Sequence, residues 1–277
     1  MSTVITVGNY KGGVGKTKNA VMVGYELAKK GKKVLIVDLD PQGNATIVLT
    51  RTKQNISKEP FVVGKTLMSA ITEENLNNAK IEIMDNLYLL PSYIDFSNYE
   101  PYLNQKFGMI DASNSNYKKL QIAKMNYFNT LLEPLKHEFD YIIIDVPPTK
   151  SLITDSAVSA SDFILLVLQT QELSLNGAIL YVNDLKDLIL NYNVNVEICG
   201  VLPVLLENNS TVDRLVLELA KEKFGEENIF ENIVPHMRRL KRFDNTGITD
   251  ADHHDKAVHE LYAKISEEMV TRIEELR

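Results

Sequence analysis

Cysteine is nearly absent: Cys199 is the only one in 277 residues. A single thiol excludes a disulfide framework within the chain and any metal centre built from several cysteines. Cys199 lies in the apolar run Val196-Glu197-Ile198-Cys199-Gly200-Val201-Leu202 and reads as a small buried hydrophobe. Long hydrophobic runs are also missing. The longest, Phe163–Leu168, has strand length and falls far short of the roughly 18 apolar residues of a membrane helix. Residues 1–10 lack both the basic segment and the apolar stretch of a signal peptide, so a cytoplasmic protein is expected. The net charge of −7 argues against a uniformly basic nucleic-acid binder, although charge acts locally. No internal repeat or low-complexity linker interrupts the chain.

What is present is a chain that is 44% hydrophobic, enough for one large α/β domain or two small ones. Short β-rich runs alternate with helical patterns. Strands are expected at Val4–Val7, Lys33–Asp38, Leu87–Leu90, Tyr141–Ile144, Phe163–Leu168 and Val196–Leu202. Helices are expected at about 16–30, 117–136, 174–190, 211–223 and 255–275. Several strands are apolar on both faces, which suits parallel strands covered on each side. The alternation implies an α/β fold with a doubly wound, mostly parallel sheet flanked by helices. Residues 91–118 hold Pro91, Pro101, Gly108 and a cluster of Asn and Ser, and read as a loop-rich insertion within a single domain spanning 1–277.

The segment Gly8-Asn9-Tyr10-Lys11-Gly12-Gly13-Val14-Gly15-Lys16-Thr17 joins the first strand to the first helix. Its glycines let backbone amides curl around phosphate oxygens, and the helix N-terminus adds partial positive charge. Lys16 can reach the β- and γ-phosphates, and the Thr17 hydroxyl can ligate Mg²⁺. The ordinary phosphate-loop pattern needs glycine where Tyr10 stands; a second lysine, Lys11, is present instead. The competing interpretation is a ligand-free glycine-rich turn. Two further strands end in aspartates: Val37-Asp38-Leu39-Asp40 and Ile142-Ile143-Ile144-Asp145. In a parallel sheet these ends share one edge, so Asp38, Asp40 and Asp145 can approach one Mg²⁺–nucleotide. Asp145 could also be a plain strand-end cap.

These motifs resemble the deviant Walker A P-loop NTPases, and within them the ParA/Soj partition ATPases. The matching stretches are K-G-G-V-G-K-T at 11–17, V-D-L-D-P-Q-G-N-A-T at 37–46 and D-Y-I-I-I-D-V-P-P at 140–148. Weaker ones are L-Q-T-Q-E-L-S-L-N-G at 168–177 and I-V-P-H-M-R-R-L at 233–240. The resemblance implies an ATPase that binds ATP/ADP and Mg²⁺ and forms an ATP-sandwich homodimer. Lys11 would reach the partner's phosphates, while Lys16 and Thr17 act in cis. Asp40 would orient the attacking water, and Lys11, Lys16 and Asp40 form the catalytic set. Nucleotide contacts are expected from residues 11–18, that is Lys11, Gly12, Gly13, Val14, Gly15, Lys16, Thr17 and Lys18. Pro235 and Met237 would flank the adenine. Metal contacts are expected from Thr17, Asp40 and Asp145. The sequence departs from the family where Lys18 replaces a common Thr and where Lys241-Arg242-Phe243-Asp244 replaces the usual S-E-A. Since the phosphate loop begins at once, an operator-reading helix-turn-helix is not expected.

Arg238, Arg239, Lys241 and Arg242 put four cations into five residues of an acidic chain. A local cluster can neutralise DNA phosphates, though it could also be a solvated surface stretch. With the resemblance, it implies sequence-independent DNA binding in the ATP state and a nucleoid-associated protein. A ParB-like centromere-binding partner would stimulate a slow basal turnover, with plasmid partition as the setting. The rival is a MinD-like membrane-associated positioning ATPase. Its terminal helix needs a basic polar face, whereas Glu267, Glu268, Glu274 and Glu275 would repel anionic lipid, so no membrane partner is expected. Nitrogenase-like iron–sulfur ATPases need cluster cysteines that are absent.

Overall fold

The computed structural model describes residues 1–206 and 211–277. Eight strands form one sheet: β1 (Thr3–Gly8), β2 (Val34–Asp38), β3 (Ile81–Met84), β4 (Leu87–Leu90), β5 (Tyr141–Asp145), β6 (Phe163–Gln169), β7 (Glu197–Leu206) and β8 (Val234–Pro235). The helices are α1 (Lys16–Lys29), α2 (Asn44–Ser57), α3 (Leu67–Thr72), α4 (Tyr99–Phe107), α5 (Tyr117–Leu132), α6 (Leu152–Ala160), α7 (Glu172–Tyr192), α8 (Thr211–Phe224), α9 (Arg238–Thr246) and α10 (His253–Leu276). The strand order is β3-β4-β2-β5-β1-β6-β7-β8. Only β3 against β4 is antiparallel, so the expected doubly wound sheet is present.

Both faces of the sheet are covered, which is why its central strands are apolar throughout. Alternate residues of β1 serve opposite layers. Ile5 and Val7 pack with Ile36, Tyr262 and Met269 under α1 and α10. Val4 packs with Leu35, Phe128 and Ala157 under α5 and α6. A third layer joins β6 and β7 to α7 and α8 through Leu166, Tyr181 and Val216. The register pairs Asp38 with Asp145 across β2 and β5, and Val7 with Asp145 across β1 and β5. The carboxyl ends of these three strands therefore finish side by side, and their loops share one edge.

Residues 108–116 form a loop as expected, but residues 94–107 do not. Ile94–Asn98 form a 3-10 turn that runs into α4. Phe96 and Tyr99 stack at 5.2 Å and are fully buried with Leu103. Pro101 is tolerated because it occupies the first turn of α4, where no intrahelical N–H bond is lost. The short elements α3, β3 and β8 were too brief to show a period, and the 14-residue α2 was not anticipated either. Among the described residues, no helix is long and apolar enough to cross a membrane.

Candidate nucleotide site and basic surface

The loop between β1 and α1 is folded for phosphate. Gly13 and Gly15 take φ values of +79° and +90°, a region that disfavours any side chain. Asn9 anchors the loop from beneath: it is fully buried, its Nδ2 donates to the Val167 carbonyl at 2.8 Å, and its Oδ1 accepts from Lys11 N at 2.8 Å. Helix α7 approaches so closely that a Cβ on Gly177 would lie 2.7 Å from Asn9 Oδ1. The position of the loop thus depends on a polar residue and a remote glycine, neither belonging to the glycine-lysine motif.

Above the loop lies a cleft of about 650 Å³ lined by Gly13, Gly15, Lys16, Thr17 and Lys18 on one side. Asp40, Gln42 and Asn44 line it from the loop after β2 and the start of α2, and Leu205 and Asp244 also line it. Lys16 is buried, and its Nζ donates to the Lys11 carbonyl at 3.2 Å. Burial lowers its pKa, opposed by the charges of Asp145 and Asp40. Lys11 itself is half-buried and Gly12 is exposed, while Val14 points into the core.

The three aspartates have separate roles. Asp38 is fully buried, and its Oδ2 accepts from Thr46 N and Oγ1, both at 2.8 Å. It is a structural anchor for α2, not a cleft residue. Its pKa is raised by burial and by Asp145. Asp40 is nearly buried, lines the cleft, and accepts from Gln42 N at 2.9 Å. Asp145 is fully buried, and neither carboxylate oxygen has a hydrogen-bond partner. Burial pushes its pKa up to about 7, although Thr17 and Lys16 nearby pull the other way. A buried carboxylate with no well-formed hydrogen bond, whose nearest donors are the Thr17 hydroxyl and the Val146 amide, makes with Thr17 a hard-oxygen pair suited to a cation. Among the described residues no group of three or more His, Cys, Asp or Glu could hold a metal. Mg²⁺ keeps waters and phosphate oxygens and needs only one or two protein ligands, so its binding does not require such a group.

Pro235 and Met237 are not among the residues that line the cleft. Pro235 is half-buried in β8, and Met237 packs against the core. Leu205 and Asp244 line the cleft instead. Lys18 lines the cleft as expected, but it pairs with Asp244 at 2.9 Å. Arg238, Lys241 and Arg242 are exposed on α9. Arg239 departs from the expected free cation. Its guanidinium bridges Asp252 and Asp255, lying 3.1 Å from Asp255 Oδ1, and its side chain is only 12% exposed. Asp255 is fully buried and Asp252 caps α10, so this arginine compensates structural carboxylates. Asn9, Leu205 and Asp244 escaped the sequence reading. Only Asn9, next to a glycine-lysine loop, carried any local signal.

A family model described as an AAA domain matches residues 2–198. The sporulation initiation inhibitor protein Soj of Bacillus subtilis is 30% identical over 247 residues, covering 89% of each chain. The chromosome partitioning protein ParA of Myxococcus xanthus is 30% identical over 250 residues, covering 88% of this chain and 79% of that one. The crystal structure of cobyrinic acid a,c-diamide synthase from Mycobacterium smegmatis with bound ATP analogue and magnesium has the same fold. Its TM-score is 0.77 at 22% identity, covering 100% of this chain and 97% of that one. That synthase acts in different chemistry, so the last similarity concerns architecture alone. The deviant phosphate loop, the paired strand-end aspartates and two relatives matched along most of their length agree, and the chain belongs to the ParA/Soj family of partition ATPases.

Proposed function

We propose that this chain is a nucleotide-driven switch that binds Mg²⁺–ATP, dimerises around it, and hydrolyses it slowly to ADP and phosphate. The observation that carries the reading is Asp145, a buried carboxylate without a hydrogen-bond partner beside Thr17 and Lys16. Thr17 and Asp145 would hold Mg²⁺, Asp145 through water, and the ion would neutralise charge on the β- and γ-phosphates. Lys16 binds the same phosphates in cis. Lys11, half-buried in the same loop, would reach the nucleotide of a second subunit. Asp40 orients the attacking water. No arginine is among the described residues that line the cleft, which supports slow basal turnover raised by a centromere-binding, ParB-like partner.

Arg238, Lys241 and Arg242 form a local positive surface on α9 that suits non-specific DNA and a nucleoid-associated location, with plasmid partition as the setting. A membrane role is less well supported. Helix α10 buries Val258, Tyr262, Ile265, Met269 and Ile273 in the core, so its apolar face is already occupied. Light scattering with ADP and with ATP, on wild type and Asp40→Ala, tests the switch. An ATP-specific dimer that persists in Asp40→Ala is expected; a monomer in both nucleotides would refute it. Retention on random duplex DNA should require ATP and fall with salt, and equal retention without nucleotide would refute the DNA reading.

A further inference from the structure

Two of the places where the sequence departs from the family pattern around the site meet in space. Lys18 Nζ lies 2.9 Å from Asp244 Oδ2, and both side chains line the phosphate cleft beside Gly15, Lys16 and Thr17. Lys18 is the third residue of α1, within the turn whose free N–H groups carry the positive end of the helix dipole. A cation there is disfavoured by the helix itself, so an anion must compensate it. Asp244 supplies one such charge, but the side chains of the pair are 32% and 42% exposed, and water screens it. The pair therefore does little for an empty cleft.

Asp244 belongs to α9, the helix that carries the exposed cations. The same helix is fastened to α2, which begins just after the Asp40 loop. Arg51 donates to the Asp244 carbonyl, Asn55 Nδ2 donates to the Thr246 carbonyl at 2.5 Å, and Ile248 N donates to Thr52 Oγ1 at 2.8 Å. Thus α9 touches both the first turn of α1, which follows the phosphate loop, and the helix leading from Asp40.

We propose that Asp244 is the residue that positions the ammonium of Lys18, itself one of the expected nucleotide contacts, so that bound nucleotide and the basic helix share one cation. The proposal rests on the nucleotide site described above and deepens it. An ammonium has three donors; one directed at Asp244 leaves two for phosphate oxygens. Charge-assisted bonds to phosphate are the stronger ones, so occupancy of the cleft draws α9 toward the loop.

The test is titration of the full chain with fluorescent ADP and ATP analogues. Lys18→Thr, Lys18→Gln, Lys18→Arg, Asp244→Asn and the double variant Lys18→Thr/Asp244→Asn are compared with wild type. Losing a phosphate contact should weaken ADP and ATP alike by about tenfold in Lys18→Thr and Lys18→Gln, with Lys18→Arg restoring most of the affinity. Asp244→Asn should weaken both by about threefold alone and add nothing in the double variant, the mark of two residues acting as one unit. Hydrogen exchange of α9 amides should slow when wild type binds ADP and should not slow in Asp244→Asn, a readout that simple loss of packing would not move. Unchanged affinity in both Lys18→Thr and Lys18→Gln, or additive losses in the double variant, would overturn the proposal. Lys16→Ala separates the two levels. If that variant binds nucleotide like wild type, the site itself fails; if it loses nucleotide while Lys18→Thr keeps it, only the role of Lys18 fails.

Discussion

Asp145 links stability to pH in a direction opposite to that of most aspartates. In the unfolded chain its carboxyl titrates near the ordinary 3.8; in the fold, burial pushes it up to about 7. The folded state therefore holds the proton more tightly, and stability falls as pH rises between those two values. Three units at 1.36 kcal/mol each make the cost about 4 kcal/mol above pH 7, and nothing below pH 4. Asp145→Asn removes the charge but leaves an amide that also lacks partners, so the nucleotide-free variant should be more stable than wild type by about 2 kcal/mol at pH 8. The gain should shrink steadily toward pH 5. Urea unfolding in EDTA across pH 5 to 8 measures it. In the same variant, the extra stabilisation that Mg²⁺–ATP gives over ATP with EDTA should be lost, because the carboxylate is retained for the cation. A nucleotide-free Asp145→Asn protein less stable than wild type at pH 8, or a gain independent of pH, would refute the reasoning.

Three further outcomes follow from the same structure. Gly177→Ala should weaken ATP binding more than tenfold with little loss of stability, since its methyl would press on Asn9 and the Lys11 amide and shift the loop; titration with a fluorescent nucleotide and a thermal melt check both halves. Arg239→Ala should cost about 3 kcal/mol because it strips the buried Asp255 of its ion pair, whereas Arg242→Ala should leave stability within about 0.5 kcal/mol and reduce the salt slope of DNA binding. The third concerns His259, whose imidazole meets Glu26 Oε1 at 2.5 Å and the Thr249 carbonyl at 2.9 Å. Burial works against its charge, but these acceptors prevail and raise its pKa above the ordinary 6.5. Its contribution to stability should be complete below pH 6.5 and disappear as pH rises through the folded value. His259→Gln should therefore differ from wild type more at pH 6 than at pH 9 in urea unfolding.

The sequence by itself determined the parts whose physics is local. Strand runs such as Val4–Val7 and Tyr141–Ile144 announced themselves because a sheet buried on both faces demands continuous apolar side chains. The phosphate loop was legible because glycines with positive φ, a lysine and a threonine must all fall within ten residues of one strand end. Asp40 and Asp145 could be placed at one edge because parallel strands end together. The tertiary structure alone decided what each charge does. Asp38 and Asp145 follow similar strands, yet only one meets donors, because α2 begins beside Asp38 and brings Thr46 to it. Arg239 looked like its neighbours in the basic run, but the start of α10 directs two carboxylates at it and leaves the other three exposed. Lys18 and Asp244 lie at opposite ends of the chain, and no spacing rule connects them; their pairing exists only because α9 packs back across α2 onto the first turn of α1. Charges are long-ranged in space and silent in sequence, so the chain announced which groups it carries, and the fold decided which of them remain available to a ligand.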